Sequence, residues 1–146
     1  MKIESPRFGT LDIAPDRIIE FPRGLVGFEH CKRYALFHPE GNDPTYYILQ
    51  SLDDPAIAFQ IADPARFGFG YELELSAAEA AELGSPERQV SSAGSTLAVV
   101  VILSNEGDGK PVRANLNGPL VMNLDARRGL QHVFVRLDYN LDSQPA

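Results

Sequence analysis

The chain has 146 residues, 44% of them hydrophobic and 23% charged, with one cysteine and 20 acidic against 13 basic side chains, for a formal net charge of -7. That length and balance suit one globular domain with its own core, and they exclude a wholly disordered chain, an intrachain disulfide framework and a multi-cysteine zinc site. With a pI near 4.9, direct nucleic-acid binding is disfavoured, because such affinity comes largely from neutralising phosphates.

In chain order, strand signals dominate: short apolar runs bounded by Pro, Gly, Asn and Asp. Residues 7–13 alternate, and residues 17–21 follow a Pro15-Asp16 turn. Further strands are expected at 34–37, 46–51, 56–62 and 71–75. In Tyr71-Glu72-Leu73-Glu74-Leu75 the period of two puts Tyr71, Leu73 and Leu75 on one face and Glu72 with Glu74 on the other, wet face. Ser76-Ala77-Ala78-Glu79 matches a capping box and opens one short helix over 77–83, stopped by Gly84 and Pro86. The β-branched run at 96–103 reads as a central strand buried on both faces. A turn at 105–109 leads to a returning strand at 112–116. Strands at 119–123 and 132–137 follow, joined through 125–129. The pattern predicts an all-β, mainly antiparallel fold, a small barrel or sandwich, with one short helix near 77–83. Residues 1–140 form a single domain, and 141–146 are a frayed tail. The N-terminus lacks the apolar stretch of a secretion signal, and no run approaches the ~20 residues of a membrane helix. A cytoplasmic protein without a membrane partner is expected.

The charge is unevenly placed. Ten carboxylates between Glu40 and Glu87 face a single base, Arg66, so the middle third carries the acidity. Gathered on one face, these groups would steer a basic partner and repel RNA; scattered, they only keep the surface solvated. No reaction chemistry emerges. Gly107-Asp108-Gly109-Lys110 lacks the earlier glycine and the following Ser/Thr of a phosphate loop. His30, Cys31 and His38 lack the paired spacing of a metal site. Asp53-Asp54 precedes Pro55, as in a turn, and no nucleophile elbow surrounds any serine. The residues favour a binding module over an enzyme, with no catalytic, cofactor or metal site.

Four segments, in order, carry a family resemblance. Phe21-Pro22-Arg23-Gly24-Leu25-Val26-Gly27-Phe28-Glu29 resembles the Phe-Pro-x-Gly-Leu-x-Gly-Phe-Glu segment of the bacterial FliW family. Leu49-Gln50-Ser51-Leu52-Asp53 is similar to its Leu-Gln-Ser-x-Asp core, and residues 114–123 to its Asn-Leu-x-x-Pro-x-x-x-Asn pattern. Gln131 and Tyr139 resemble its terminal Gln and Tyr. The chain departs from the pattern at 44–47 and 66–71. Each segment also has a structural reading. Gly24 and Gly27 permit tight turns around Phe21 and Phe28, Pro119 punctuates a strand, and the amides of Gln50, Asn115 and Asn123 satisfy loop backbone.

The resemblance implies a small, mostly antiparallel β-barrel, monomeric when free. It also implies a non-enzymatic flagellar assembly factor that binds the RNA-binding repressor CsrA, relieves its silencing of flagellin mRNA, and binds flagellin in competition. On this reading Asp53, Asp54, Glu72 and Glu74 attract basic residues of CsrA. An aromatic groove from Tyr46, Tyr47 and Phe69, with Phe59 and Phe67 nearby, takes an amphipathic helix of flagellin. The alternative is a flagellin-specific chaperone with no CsrA partner. An enclosed ligand pocket inside the barrel would instead mark a small-molecule protein.

Overall fold

The computed structural model describes residues 2–6, 9–38, 46–68, 70–91, 96–105 and 112–133. Twelve strands and one helix form over these residues: β1 (Lys2–Ser5), β2 (Gly9–Asp12), β3 (Ile18–Glu20), β4 (Arg33–Phe37), β5 (Tyr46–Ser51), β6 (Ala58–Ala62), β7 (Glu72–Glu74), α1 (Ala77–Leu83), β8 (Gln89–Ser91), β9 (Ala98–Asn105), β10 (Val112–Ala114), β11 (Leu120–Asn123) and β12 (Arg128–Gln131). The order β9-β11-β12-β3-β4-β5-β6 returns to β9 through the β6–β9 pairing, closing a seven-stranded barrel. Closure removes the unpaired edges of an open sheet. Every pairing is antiparallel except β12 with β3, which run parallel and meet at Arg128 and Glu20.

Alternation along the strands sorts two cores. Ile19, Phe21, Tyr34, Leu49, Ile61, Leu120 and Met122 fill the barrel interior, with Phe59, Ala98, Val100 and Ile102 packed against them. The rings of Phe21 and Tyr34 meet edge to face at 5.4 Å, as do Phe28 and Phe59 at 5.1 Å, a geometry favoured by the ring quadrupoles. The alternate residues of β9, namely Val99, Val101 and Leu103, join Val121 and Leu130 in a second core outside the barrel, covered by Leu73, Leu75, Leu83 and Val90. Thus the β7–β8 pair and the helix α1 that connects its strands are the lid on one outer barrel face, and β9 is apolar on both sides as its sequence predicts.

The helix forms from local chemistry. Ser76 Oγ accepts from Glu79 N–H at 3.0 Å, Glu79 Oε1 accepts from Ser76 N–H at 2.9 Å, and Gly84 closes the helix at φ 67°.

Two parts of the sequence reading need correction. The last described strand is Arg128–Gln131; of the strand expected at 132–137, His132 and Val133 lie beyond it and 134–137 fall outside the described residues. The turn after β11 is only four residues, 124–127, so pairing resumes at once with Asn123 opposite Arg128. Gly129, which read as a turn residue, is a strand residue facing the Phe21 ring. Strands β1 and β8 were not foreseen either. Each is too short and mixed to alternate clearly, and each exists through its antiparallel partner, β2 and β7 respectively. The tail at 141–146 lies outside the described residues.

Candidate partner-binding surfaces

Glu72 and Glu74 project from β7 away from the outer core, because Leu73 between them and Tyr71 and Leu75 beside them are buried. Glu72 accepts from Ser91 Oγ at 2.9 Å, and Glu74 lies 3.9 Å from the Arg88 guanidinium, both groups at least half exposed. These carboxylates remain open to solvent and to a partner.

Asp53 and Asp54 sit elsewhere, in the loop from β5 to β6, and are tied down. Ser51 Oγ accepts from both of their N–H groups, at 3.2 and 3.0 Å. Asp53 Oδ2 accepts from the N–H of Lys32 at 2.7 Å and of Arg33 at 3.0 Å, while Oδ1 lies 3.7 Å from the Arg33 guanidinium. Asp54 Oδ1 accepts from Ala56 N–H at 3.2 Å. Burial alone would raise the Asp53 pKa, but the two backbone donors and Arg33 outweigh it and hold the carboxyl below its ordinary value. Asp53 therefore clamps the start of β4 to the loop.

A depressed native pKa contributes stability that is complete above the unfolded aspartate value near ~4 and is lost as pH falls through the lower native value. Wild type is thus expected to lose about 1 kcal/mol more than Asp53→Asn between pH 7 and pH 3, a modest figure because the carboxylate is partly solvated. Urea midpoints of both proteins at the two pH values measure it. Equal acid losses would refute the clamp. Glu79 is also held below its ordinary value, by Ser76 N–H and His132 against its own burial; it is present in both proteins and cancels in the comparison.

Of the aromatic candidates, Tyr47 is 41% exposed on β5 and meets the His38 ring edge on at 5.4 Å. Phe67 is exposed in the short turn Pro64–Phe67, whereas Phe59 belongs to the interior. Tyr46 pairs with Ala62; its side chain, and all of Phe69, lie outside the described residues.

The motif residues shape the loops. Gly24 and Gly27 adopt φ of 66° and 85° in the loop between β3 and β4, with Phe21 fully buried at its base. Gln50 is fully buried, and its Nε2 donates to the carbonyls of Ser51, Pro55 and Ile57 at 3.0–3.1 Å, pinning the β5–β6 loop. Asn123 Nδ2 donates to Leu83 O at 2.9 Å, tying α1 to the barrel. Asn115 Oδ1 accepts from Asn117 N–H at 3.2 Å, and Pro119 O accepts from His132 N–H at 2.9 Å.

Sequence reasoning missed a cleft of about 160 Å³ between the β3–β4 loop, α1 and β12. Gln131 Oε1 accepts from Val26 N–H at 2.9 Å at one wall; Arg23 and Glu82, paired at 2.9 Å, line the other with Glu79, which is itself paired with His132 at 3.0 Å. Val26 stands 64% exposed at its mouth. Nothing local marks it: Leu25 and Val26 stand between the same two turn glycines, yet Leu25 is buried and Val26 exposed. No helix of the described residues is long and apolar enough to cross a membrane.

Comparison with known proteins agrees with this fold. A model of the family described as FliW protein matches residues 2–144. The "Flagellar assembly factor FliW" of Azoarcus sp. (strain BH72) is 46% identical over 141 residues, covering 94% of this chain and 93% of that protein. The protein of the same description from Chromobacterium violaceum is 38% identical over 143 residues, covering 94% and 96%. A crystal structure of the flagellar assembly factor FliW superposes with a TM-score of 0.76 at 28% identity, covering 94% of this chain and 92% of that one. With near full-length matches in sequence and in architecture, the chain belongs to the FliW family.

Proposed function

We propose that this chain is a non-enzymatic flagellar assembly factor of the cytoplasm, monomeric when free, that binds CsrA and keeps it from silencing flagellin mRNA, and that flagellin competes for the same protein. The observation that carries the reading is the match to the FliW family across residues 2–144. The open carboxylates of Glu72 and Glu74 supply a physical route to a basic RNA-binding partner: they raise its encounter rate and place negative charge beside its RNA path. That effect reaches only about a Debye length, ~8 Å at physiological salt, so docking must be close.

Calorimetric titration of the chain with CsrA from the same organism, without and with flagellin, tests the reading. Saturable binding that flagellin abolishes is expected. Flagellin binding without any CsrA binding would replace the reading with a flagellin-specific chaperone. Within the expected complex, the double charge reversal Glu72→Lys/Glu74→Lys is expected to slow association roughly tenfold at low salt and flatten its salt dependence. Folding should be little affected, since both side chains face water and the contacts they give up, to Ser91 and Arg88, are solvent-exposed. An unchanged on-rate and salt slope in stopped-flow would refute electrostatic steering by these carboxylates.

A further inference from the structure

In a chain with a net charge of -7, one surface groove is basic. It encloses about 330 Å³ and is lined by Arg33, Arg127 and Arg128 against the single carboxylate Glu20, with Pro15 and Ile18 as apolar walls. It lies where the barrel is least continuous: β12 and β3 run parallel and pair only at Arg128 and Glu20, with Glu20 N–H donating to Arg127 O at 3.0 Å. The four-residue turn before β12 and the short helical turn Pro15–Arg17 border that gap.

The guanidiniums are positioned rather than loose. Arg127 Nη1 donates to Pro15 O at 3.1 Å and Arg128 Nη1 to Glu82 O at 3.2 Å, while Arg33 Nη2 is 3.7 Å from Asp53. Each contact uses one nitrogen of a planar group with five N–H donors, leaving donors directed elsewhere. Arg127 is also the only non-glycine residue among those described with positive φ, at 57°. That left-handed conformation disfavours a branched Cβ and is ordinarily filled by Gly or Asn. Glycine would suit this turn backbone better, so the side chain can be removed there without adding strain.

We propose that this groove binds a carboxylate-rich segment of a protein partner. Planar guanidiniums match carboxylates in paired hydrogen bonds, and the groove is of a size to take one or two side chains. Three guanidiniums in so short a groove can engage one or two carboxylates but offer no continuous basic track for the phosphates of a nucleic acid. The groove shares no residue with the β7–β8 carboxylates, so the proposal does not rest on CsrA or flagellin being the partner.

The test uses the full chain with a synthetic hexaglutamate peptide, followed by NMR of the arginine Nε–Hε signals, with hexaglutamine and hexauridylate as controls. Saturable shifts confined to Arg33, Arg127 and Arg128 with hexaglutamate, and none with hexaglutamine, are expected. Arg127→Gly should weaken binding roughly tenfold, the loss of one charge-assisted contact, with an unchanged or raised Tm because glycine relieves the turn. Glu20→Gln should tighten it severalfold, a change of opposite sign that damage to the fold would not produce. Shifts spread over all arginines, no saturation, Arg127→Gly binding as wild type, or hexauridylate moving the same signals as strongly would each overturn the proposal.

Discussion

Gly24→Ala is expected to lower Tm by about 10 °C, corresponding to ~3–5 kcal/mol in a domain of this size, whereas Gly27→Ala three residues on is expected to cost only about 1 kcal/mol. Both glycines have positive φ, so both substitutions incur the left-handed penalty of an L-residue, ~1–2 kcal/mol. The difference lies in space. A Cβ on Gly24 would stand 2.6 Å from Glu29 Cα and 2.7 Å from Phe28 O, whereas one on Gly27 meets nothing within 4 Å. The atoms in the way at Gly24 are backbone, and that backbone is fixed by Gly24 N–H to Phe21 O at 2.8 Å, Phe28 N–H to Leu25 O at 2.7 Å and Cys31 N–H to Phe28 O at 3.0 Å. Relief therefore requires opening the loop that seats Leu25 and Phe28 on the barrel core. Thermal denaturation of the two variants decides the matter: equal losses would mean the loop is softer than its hydrogen bonds indicate. The same variant should lose the Arg23–Glu82 contact, since the loop carries Arg23 to α1.

The second large effect is at Phe21, and it is best read through Gly129. Phe21 is fully buried inside the barrel, so Phe21→Ala is expected to destabilise by ~3–5 kcal/mol through lost burial and the cavity left behind. Gly129 on β12 exists to admit the ring: a Cβ there would lie 2.7 Å from both Cε2 and Cζ of Phe21 and 3.2 Å from Met122 Cγ. Gly129→Ala alone is expected to cost about 2 kcal/mol by overpacking. In a Phe21→Leu background both clashing ring atoms are gone, and the same change should be close to neutral. A double-mutant cycle by urea denaturation should give a coupling of ~1–2 kcal/mol. Additive losses would show that the two sites do not share the space the structure assigns them.

These pairs also explain why one strand was read out of place. Gly129 between Arg128 and Leu130 has the local appearance of a turn, yet it is a strand residue because a ring from a segment more than 100 positions away occupies its side-chain space. No propensity or alternation rule carries that information. The carboxylate candidates divide in the same way. Glu72 and Glu74 were legible as an exposed pair, since alternation in Tyr71-Glu72-Leu73-Glu74-Leu75 is a property of five neighbouring residues. The clamp formed by Asp53 was not, because its donors, Lys32 and Arg33, are some twenty positions away.

The sequence by itself determined what short-range physics controls. The capping box of α1 closes within four residues. The apolar alternation of the strands assigns each side chain to a face. The order of the motif segments places the chain in its family. Tertiary structure alone decided the rest: the parallel joint of β12 with β3, the covering of the outer barrel face by α1 and the β7–β8 pair, and the meeting of Arg127 with Pro15 and of Val26 with Gln131. Each of these depends on which distant segments closure of the barrel makes adjacent. Backbone donors and acceptors at such joints are satisfied only by partners the closed barrel supplies, so the cleft at Val26 and the groove at Arg127 cannot be read from any one segment.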